Sequence, residues 1–181
     1  MLDKKGYEMG GAVLRFKSDI KNKNPAMRDF PLARINTTKH PLVGNKYRVW
    51  PLMNLSVVTD DIELGMTHII RGKDHKDNAE RQKMMYKVLG KEKTFPWSGF
   101  IGRLHFKDLE MSASKMRRDI EDGKYSGWDD EKLPTAASFK KQGYKPKVFW
   151  KYVEQRGISE ADKIISKKDF FKVLEDFKKD L

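Results

Sequence analysis

The stretch Thr-His-Ile-Ile-Arg-Gly-Lys-Asp-His, residues 67–75, decides the predicted fold of this chain. Its short apolar run is typical of a buried parallel strand, and the run ends at Arg71 and Gly72. The residues that follow predict a helix, with an apolar stripe on one face and Gly90 at its end. A strand, a polar turn and a helix form the α/β unit whose turn usually carries a ligand, so we expect a ligand site at Arg71.

Composition favours a polyanionic partner without identifying it. The 181 residues carry a formal net charge of +12, and residues 1–49 contain eleven Lys or Arg against four Asp or Glu. This excess suits nucleic acid or a phosphate-rich ligand, although a merely basic surface would give the same numbers. The chain contains no cysteine, which excludes disulfides and thiolate nucleophiles. No apolar run approaches the ~20 residues of a membrane span, so we expect a cytoplasmic protein with no membrane partner.

The remaining pattern predicts β structure early in the chain and helices late. Residues 10–49 alternate short apolar stretches with turn residues, and residues 55–59 suit either one strand or a helix turn. Beyond residue 127 we expect helices, with Pro146 in one first turn and Ser166 with Asp169 as a capping box.

The side chain of Arg71 admits two interpretations. Its planar fork of donors matches a carboxylate in two parallel, charge-assisted hydrogen bonds. A structural salt bridge with Asp61 or Asp74 is the alternative that composition alone favours. We do not expect His68 and His75 to bind a metal ion, because no third ligand stands at a suitable spacing.

Several segments in this order resemble class I aminoacyl-tRNA synthetases of the glutamyl/glutaminyl family, in their archaeal and eukaryotic style. They are Trp-Pro-Leu-Met-Asn-Leu-Ser-Val-Val-Thr-Asp-Asp-Ile-Glu-Leu-Gly-Met-Thr-His (50–68), Met-Ser-Ala-Ser-Lys (111–115) and Gly-Trp-Asp-Asp-Glu-Lys-Leu-Pro-Thr (127–135). The resemblance implies an α/β fold, the C-terminal half of a Rossmann-type catalytic domain. Residues 1–49 would end an acceptor-stem-binding insertion, residues 50–119 would complete the nucleotide-binding fold, and residues 120–181 would form a helical stem-contact subdomain.

The resemblance also implies an amino-acid site. Glutamyl enzymes carry arginine at the position of Arg71, where glutaminyl enzymes carry a small neutral residue, so the implied substrate is glutamate. Asp74 matches an acidic position near the substrate. Met53 stands where the family usually has a pocket tyrosine, and Val57 where some bacterial members have a polar residue. Asp77 matches an aspartate that faces the acceptor stem of tRNA in glutaminyl relatives, and a first-turn helix acid is its equally frequent alternative.

The segment 111–115 resembles the signature usually written KMSKS, a mobile loop that closes over ATP. Glu110 and Ala113 replace its two lysines, and the resemblance implies that Lys115 takes over the catalytic phosphate contact. Small hydroxyl residues let backbone amides approach phosphates, and a lysine stabilises the pyrophosphate leaving group. Arg103 and Leu104, ahead of the loop, match a dipeptide whose backbone holds adenine in these enzymes. The implied ATP-binding residues are Arg103, Leu104, Met111, Ser112, Ser114 and Lys115.

The implied activity is that of a glutamate–tRNA ligase with glutamate, ATP and tRNA as partners and Mg²⁺ accompanying ATP. The family's HIGH signature is not found among the 181 residues. We therefore expect an internal piece of a synthetase, packed against a missing N-terminal half and inactive alone. A non-catalytic RNA-binding module built from synthetase parts is one alternative, and a glutaminyl-tRNA synthetase is another, which Arg71 disfavours.

Overall fold

The computed structural model describes residues 6–180, whose helices and strands form two compact units that divide between Phe100 and Ile101. Residues 1–5 and 181 lie outside the described residues, as do the parts of the predicted 1–49 and 120–181 domains that fall there. Across residues 6–180, no helix combines the length and the apolar character that crossing a membrane requires. The predicted domain boundaries at residues 49 and 119 remain predictions.

The first unit combines a three-stranded sheet with a helix pair and a second, two-stranded sheet. Its elements are β1 (Val13–Phe16), β2 (Phe30–Ile35), β3 (Val49–Pro51), α1 (Met53–Glu63), β4 (His68–Gly72), α2 (Lys76–Val88) and β5 (Trp97–Ile101), whose last residue belongs to the second unit. Short 3-10 helices occupy Pro25–Met27, Lys73–His75 and Glu92–Thr94.

The first sheet confirms the β structure predicted for the early residues. Its strands pair antiparallel in the order β1-β2-β3, and β2 lies at the centre. Ala33 and Ile35 are buried because alternate residues of a strand face the same side of a sheet. Phe30 joins Val58 of α1 and Met85 and Tyr86 of α2 in the core of this unit. The segment 55–59 is therefore helical, since α1 places Val58 against α2 and the sheet.

The predicted strand at residues 67–70 is present as β4, but it is not buried. Ile70 is 57% exposed, and among the described elements β4 pairs only with β5. Neighbouring strands cover only the edges of a strand, and a packed layer is needed to cover its faces. The exposure of Ile70 shows that this face of β4 is not covered among the described residues, so the apolar run does not imply burial here. Its carboxyl end nevertheless leads through Lys73–His75 into α2, as the sequence predicts.

The second unit is a helical bundle with one small sheet. Its elements are β6 (Leu104–Phe106), α3 (Ala113–Glu121), α4 (Ala136–Lys141), α5 (Pro146–Arg156), β7 (Lys163–Ile165) and α6 (Lys167–Lys179). The core between α5 and α6 contains Val148, Tyr152, Phe170 and Leu174, and Leu174 has no exposed surface. This burial stabilises both helices because apolar surface leaves water.

The predicted helix starts in this unit are confirmed. Pro146 opens α5, and Gly157 follows it with φ +67°, a conformation that favours glycine. Ser166 accepts a hydrogen bond from the backbone N–H of Asp169 and donates its own hydroxyl to the Asp169 carboxylate, 2.7 Å away. The side-chain oxygen thereby satisfies a donor that the first turn of α6 would otherwise leave unpaired.

The strand β7 was not predicted, because residues beyond 127 were expected to be helical. It pairs in parallel with β6, with Leu104 opposite Lys163 and Phe106 opposite Ile165. The two apolar residues at 164 and 165 are too short a run to distinguish a strand from a helix turn by periodicity. Pairing with β6, rather than local preference, makes this segment extended.

Candidate functional site

Arg71 lies at the carboxyl end of β4 with its guanidinium largely buried, and two side chains engage it. Its Nη1 donates to Oε1 of Gln82 at 2.6 Å, and its Nη2 lies 3.7 Å from Oδ2 of Asp61. The side chains of Arg71 and Asp61 are 14% and 15% exposed. The structural ion pair weighed from the sequence is therefore present with Asp61, while a guanidinium with five N–H donors keeps further donors for a ligand.

A chain of buried amides continues from Gln82 to Asn54 at the start of α1. Gln82 is 2% exposed, and its Nε2 donates to Oδ1 of Asn54 at 3.1 Å. Asn54 in turn donates from Nδ2 to Oδ1 of Asn78 at 3.3 Å. Arg81 donates to the same Asn78 oxygen at 3.1 Å. The polar side chains of α1 and α2 thus form one hydrogen-bonded network behind Arg71.

Two ionisable groups beside this network have raised pKa values because they are partly buried. Burial raises the pKa of the Asp61 carboxyl, the neighbouring Asp60 raises it further, and Arg71 lowers it. Burial likewise raises the pKa of the Tyr86 hydroxyl, and the charge of Asp61 adds to that shift. The Tyr86 hydroxyl has no hydrogen-bond partner among the described residues. A buried unpaired hydroxyl beside charged groups is uncommon in native structures.

The remaining predicted glutamate-site residues occupy α1 and the start of α2. Met53 begins α1, is 45% exposed and lines a cavity of about 360 Å³ together with Arg28, Asn54 and Arg81. Val57 follows one turn later and is half-buried. Asn54 connects the two regions, because it lines this cavity and also receives the hydrogen bond of Gln82.

Asp74 and Asp77 are exposed at the amino end of α2. Asp74 lies in the 3-10 helix before α2, and a Cβ added at Gly72 would approach its Oδ1 to 2.6 Å, so glycine lets this carboxylate come close to the strand end. Asp77 lies in the first turn of α2 and accepts a hydrogen bond from Nδ2 of Asn24 at 3.1 Å. That contact joins α2 to the segment ahead of Pro25–Met27.

The predicted ATP loop is partly helical, which corrects the expectation of a loop from Met111 to Lys115. Met111 is exposed ahead of the helix, Ser112 is the N-cap of α3, and Ser114 and Lys115 lie in its first turn. The Ser112 hydroxyl accepts from the backbone N–H of Lys115 at 3.3 Å. A capping serine stabilises a helix start by satisfying such a donor.

Lys115 is held by Glu110 in this structure. Its ammonium forms a salt bridge and a hydrogen bond with the Glu110 carboxylate, and these raise the pKa of Lys115. Both side chains are about half exposed and line a cavity of about 180 Å³. An exposed ion pair is weak in water, so a phosphate can displace Glu110 from Lys115 at little cost.

The backbone N–H and C=O of Arg103 form hydrogen bonds with the segment around β7, whereas those of Leu104 face the opposite edge of β6. The Arg103 amide donates to Oδ1 of Asp162 at 2.7 Å, and its carbonyl accepts from the Lys163 amide at 2.9 Å. The Lys107 amide donates to the Ile165 carbonyl at 3.1 Å. Since backbone groups alternate along a strand, residues 103, 105 and 107 face β7, and Leu104 faces the edge of β6 that no other described strand covers.

The motif 127–135 forms a hydrogen-bonded turn that leads into α4. The Asp130 carboxylate accepts from the backbone amides of Lys132 and Ser126, each at 3.0 Å, and these bonds lower the pKa of Asp130. The Thr135 hydroxyl donates to the carbonyl of Trp128 and, as N-cap of α4, accepts from the amide of Ser138. These hydrogen bonds fix the backbone of the motif ahead of α4.

Sequence reasoning missed the residues that support Arg71, namely Gln82 and Asn54. A usable signal existed, since Asn78 and Gln82 are four residues apart on an otherwise apolar face of a helix, and buried polar side chains require partners. The predicted contacts of Arg71, Lys115 and the other named residues with ligands remain predictions. Within residues 6–180 no group of three or more His, Asp or Glu side chains is placed to bind a metal ion.

Arg71 at the end of β4, Ser112 at the start of α3 and the motif 127–135 stand at positions where the chain resembles one class of protein, the class I aminoacyl-tRNA synthetases. The family described as tRNA synthetases class I (E and Q), catalytic domain, matches residues 2–178, so the chain belongs to this family.

Three relatives of the chain are named as ligases for the same amino acid, glutamate. The chain is 45% identical over 164 residues to a glutamate–tRNA ligase of Methanosphaera stadtmanae, covering 91% of the chain and 29% of that protein. It is 45% identical over 155 residues to a glutamate–tRNA ligase of Methanocaldococcus jannaschii, covering 86% and 28% respectively. A glutamate–tRNA ligase of Thermococcus kodakarensis is 44% identical over 161 residues, covering 88% and 28%. The chain therefore spans less than a third of the length of these relatives.

Proposed function

We propose that the gene product containing this chain is a glutamate–tRNA ligase that activates glutamate with ATP and transfers it to tRNA. The observation that carries the proposal is Arg71 at the carboxyl end of β4, in a chain similar to glutamate–tRNA ligases over most of its length. The three domains predicted from the sequence belong to this proposal, with residues 1–49 and 120–181 serving tRNA contacts and residues 50–119 forming the nucleotide-binding fold.

The substrate choice in this proposal rests on the chemistry of Arg71. A guanidinium has only donors, so it matches the side-chain carboxylate of glutamate, which has only acceptors. Glutamine would turn an amide N–H₂ toward those donors and leave buried groups unpaired, at roughly 1 to 3 kcal/mol for each. Met53, Val57 and Asp74 would line the remainder of the glutamate site, and Asp77 would contact tRNA.

The ATP contacts in this proposal come from the second unit. Leu104 would hold adenine through the backbone groups that it presents at the open edge of β6, and Arg103 would anchor that edge through Asp162 and Lys163. Met111, Ser112, Ser114 and Lys115 would face the phosphates. Lys115 supplies the positive charge that stabilises pyrophosphate as it leaves, once its ammonium exchanges Glu110 for phosphate oxygens.

The chemistry requires orientation more than a protein base. The glutamate α-carboxylate attacks the α-phosphate of ATP, giving glutamyl-adenylate and pyrophosphate. A ribose hydroxyl of the tRNA terminal adenosine then attacks the glutamyl carbonyl, which forms the ester to tRNA and releases AMP. Positioning and charge stabilisation carry most of such a reaction. Mg²⁺ bound to ATP would offset the charge of the phosphates.

The proposal is tested by tRNA charging with the complete gene product. Purified protein, ATP, Mg²⁺ and total tRNA are incubated with radiolabelled glutamate or glutamine, and acid-precipitable label is counted. We expect labelling by glutamate and little by glutamine. Efficient charging with glutamine would support a glutaminyl enzyme, and tRNA binding without charging by either amino acid would support the RNA-binding module.

A further inference from the structure

The guanidinium of Arg71 is anchored by a neutral side chain that is almost fully buried. Gln82 is 2% exposed, and its Oε1 accepts from Nη1 of Arg71 at 2.6 Å. This is the shortest contact of Arg71, since the Asp61 carboxylate lies 3.7 Å from Nη2. A buried amide at this distance fixes the plane in which the guanidinium lies.

The orientation of the Gln82 amide is determined by its hydrogen bond to Asn54 on the side away from Arg71. Its Nε2 donates to Asn54, whose own amide donates to Asn78, and the Asn78 oxygen also accepts from Arg81. Arg71 can only donate, so Gln82 must present its oxygen to Arg71 and its nitrogen to Asn54. The network therefore keeps an acceptor at Arg71 whatever the rest of the pocket contains.

The charge of this acceptor matters more than its hydrogen bond. A carboxylate in place of the Gln82 amide would form a short buried ion pair with Nη1 and would compete with a substrate carboxylate for the same cation. An amide holds the guanidinium without cancelling its charge. Asp61 is more distant and cancels less of the charge, because Coulomb attraction falls with distance.

We propose that Gln82 is a positioning residue for amino-acid specificity, which holds Arg71 through a neutral acceptor and so leaves its charge available to the side-chain carboxylate of glutamate. The inference rests on the proposed function, because it assigns a substrate contact to Arg71. It extends that function to a residue that touches no substrate.

Two substitutions separate the charge of the acceptor from its packing. Gln82→Glu keeps the shape and adds a carboxylate, whereas Gln82→Met keeps most of the volume and removes both hydrogen bonds. Lys87→Gln changes the charge by the same one negative unit at an exposed position of the same helix, α2, and serves as the control for charge. Steady-state tRNA charging by the complete gene product gives KM for glutamate and ATP, and the ratio of kcat/KM for glutamate to that for glutamine.

For Gln82→Glu we expect a rise in the KM for glutamate of about tenfold or more, with the KM for ATP within about twofold of wild type. The glutamate-to-glutamine ratio should fall by a similar factor. Gln82→Met should raise the KM for glutamate less and preserve the ratio better, because the charge of Arg71 is not cancelled. Lys87→Gln should match wild type.

The inference is overturned if both Gln82 variants fold and keep a wild-type KM for glutamate, or if both lower the ratio equally, which is what loss of packing alone would do. Thermal unfolding establishes folding, and if Gln82→Glu does not fold, a wild-type KM for glutamate in Gln82→Met overturns the inference by itself. A wild-type protein that charges no tRNA with glutamate overturns the proposed function instead. If the wild type is active and its Arg71→Ala variant loses the use of glutamate, a negative result for the Gln82 variants counts against the role of Gln82 alone.

Discussion

Replacing Gly102 with alanine should destabilise the second unit. An added Cβ would lie 2.3 Å from the Ala161 carbonyl oxygen and 2.6 Å from the Glu160 oxygen, and both are backbone atoms. The Gly102 amide donates to Ser159 at 2.8 Å, and its carbonyl accepts from Nη2 of Arg156 at 2.6 Å. The two segments must separate, which breaks at least one of these bonds.

The cost follows from overpacking, about 1–3 kcal/mol, and one lost hydrogen bond, about 1 kcal/mol, for a total of about 2–4 kcal/mol. For a unit of this size the loss corresponds to about 10–20 °C in Tm. Urea unfolding followed by circular dichroism measures it. Gly127→Ala is the control, because its Cβ would meet only a side-chain oxygen of Asp129 at 3.2 Å. Equal unfolding free energies for the two variants would refute the described packing of residues 159–163 against Gly102.

Three further changes test other parts of the structure. Glu110→Gln should lower the KM for ATP a few-fold, since Lys115 no longer has to leave a carboxylate, and ATP titration of tRNA charging checks this. Tyr144 donates its hydroxyl to Glu175, and burial and this bond raise the pKa of Tyr144 to about 12. Its contribution to stability is therefore complete below pH 10 and is lost as pH rises toward 12, so Tyr144→Phe should flatten alkaline unfolding in that window. Leu174→Ala should cost about 2–5 kcal/mol in urea unfolding, because Leu174 is fully buried between α5 and α6.

Local rules predicted the helices and their ends well. Pro146 and the Ser166–Asp169 pair act within one turn of chain, and each stands where the sequence placed it. The helix after Arg71 followed from its apolar stripe for the same reason. Such signals depend on hydrogen bonds and sterics between near neighbours, which a sequence displays directly.

Features that depend on distant segments were harder to predict from the sequence. The strand β7 exists because residues 163–165 pair with β6, about sixty positions earlier, and the exposure of Ile70 follows from the short sheet around β4. The helix at Ser114 and Lys115 was missed because the resemblance implied a mobile loop, and Ser112 was not considered as an N-cap. Of the two partners of Arg71, the sequence predicted Asp61 through its opposite charge but not Gln82, because a neutral amide gives no charge signal.

The resemblance and the residues contributed different parts of the interpretation. Composition indicated only a polyanionic partner, and Arg71 alone favoured a structural ion pair, which the structure contains. The proposed function gives the arginine a second use, because the donors that Asp61 and Gln82 leave unused can bind a carboxylate. Structural and functional roles of Arg71 are therefore compatible in this account.

The most direct test of the account is the amino-acid specificity of an Arg71→Ala variant of the complete gene product. Loss of two charge-assisted hydrogen bonds should remove about 3 kcal/mol or more, so kcat/KM for glutamate in tRNA charging should fall at least about 100-fold, with the KM for ATP within about twofold of wild type. Unchanged glutamate kinetics in a folded Arg71→Ala protein would contradict the assignment of glutamate to this site.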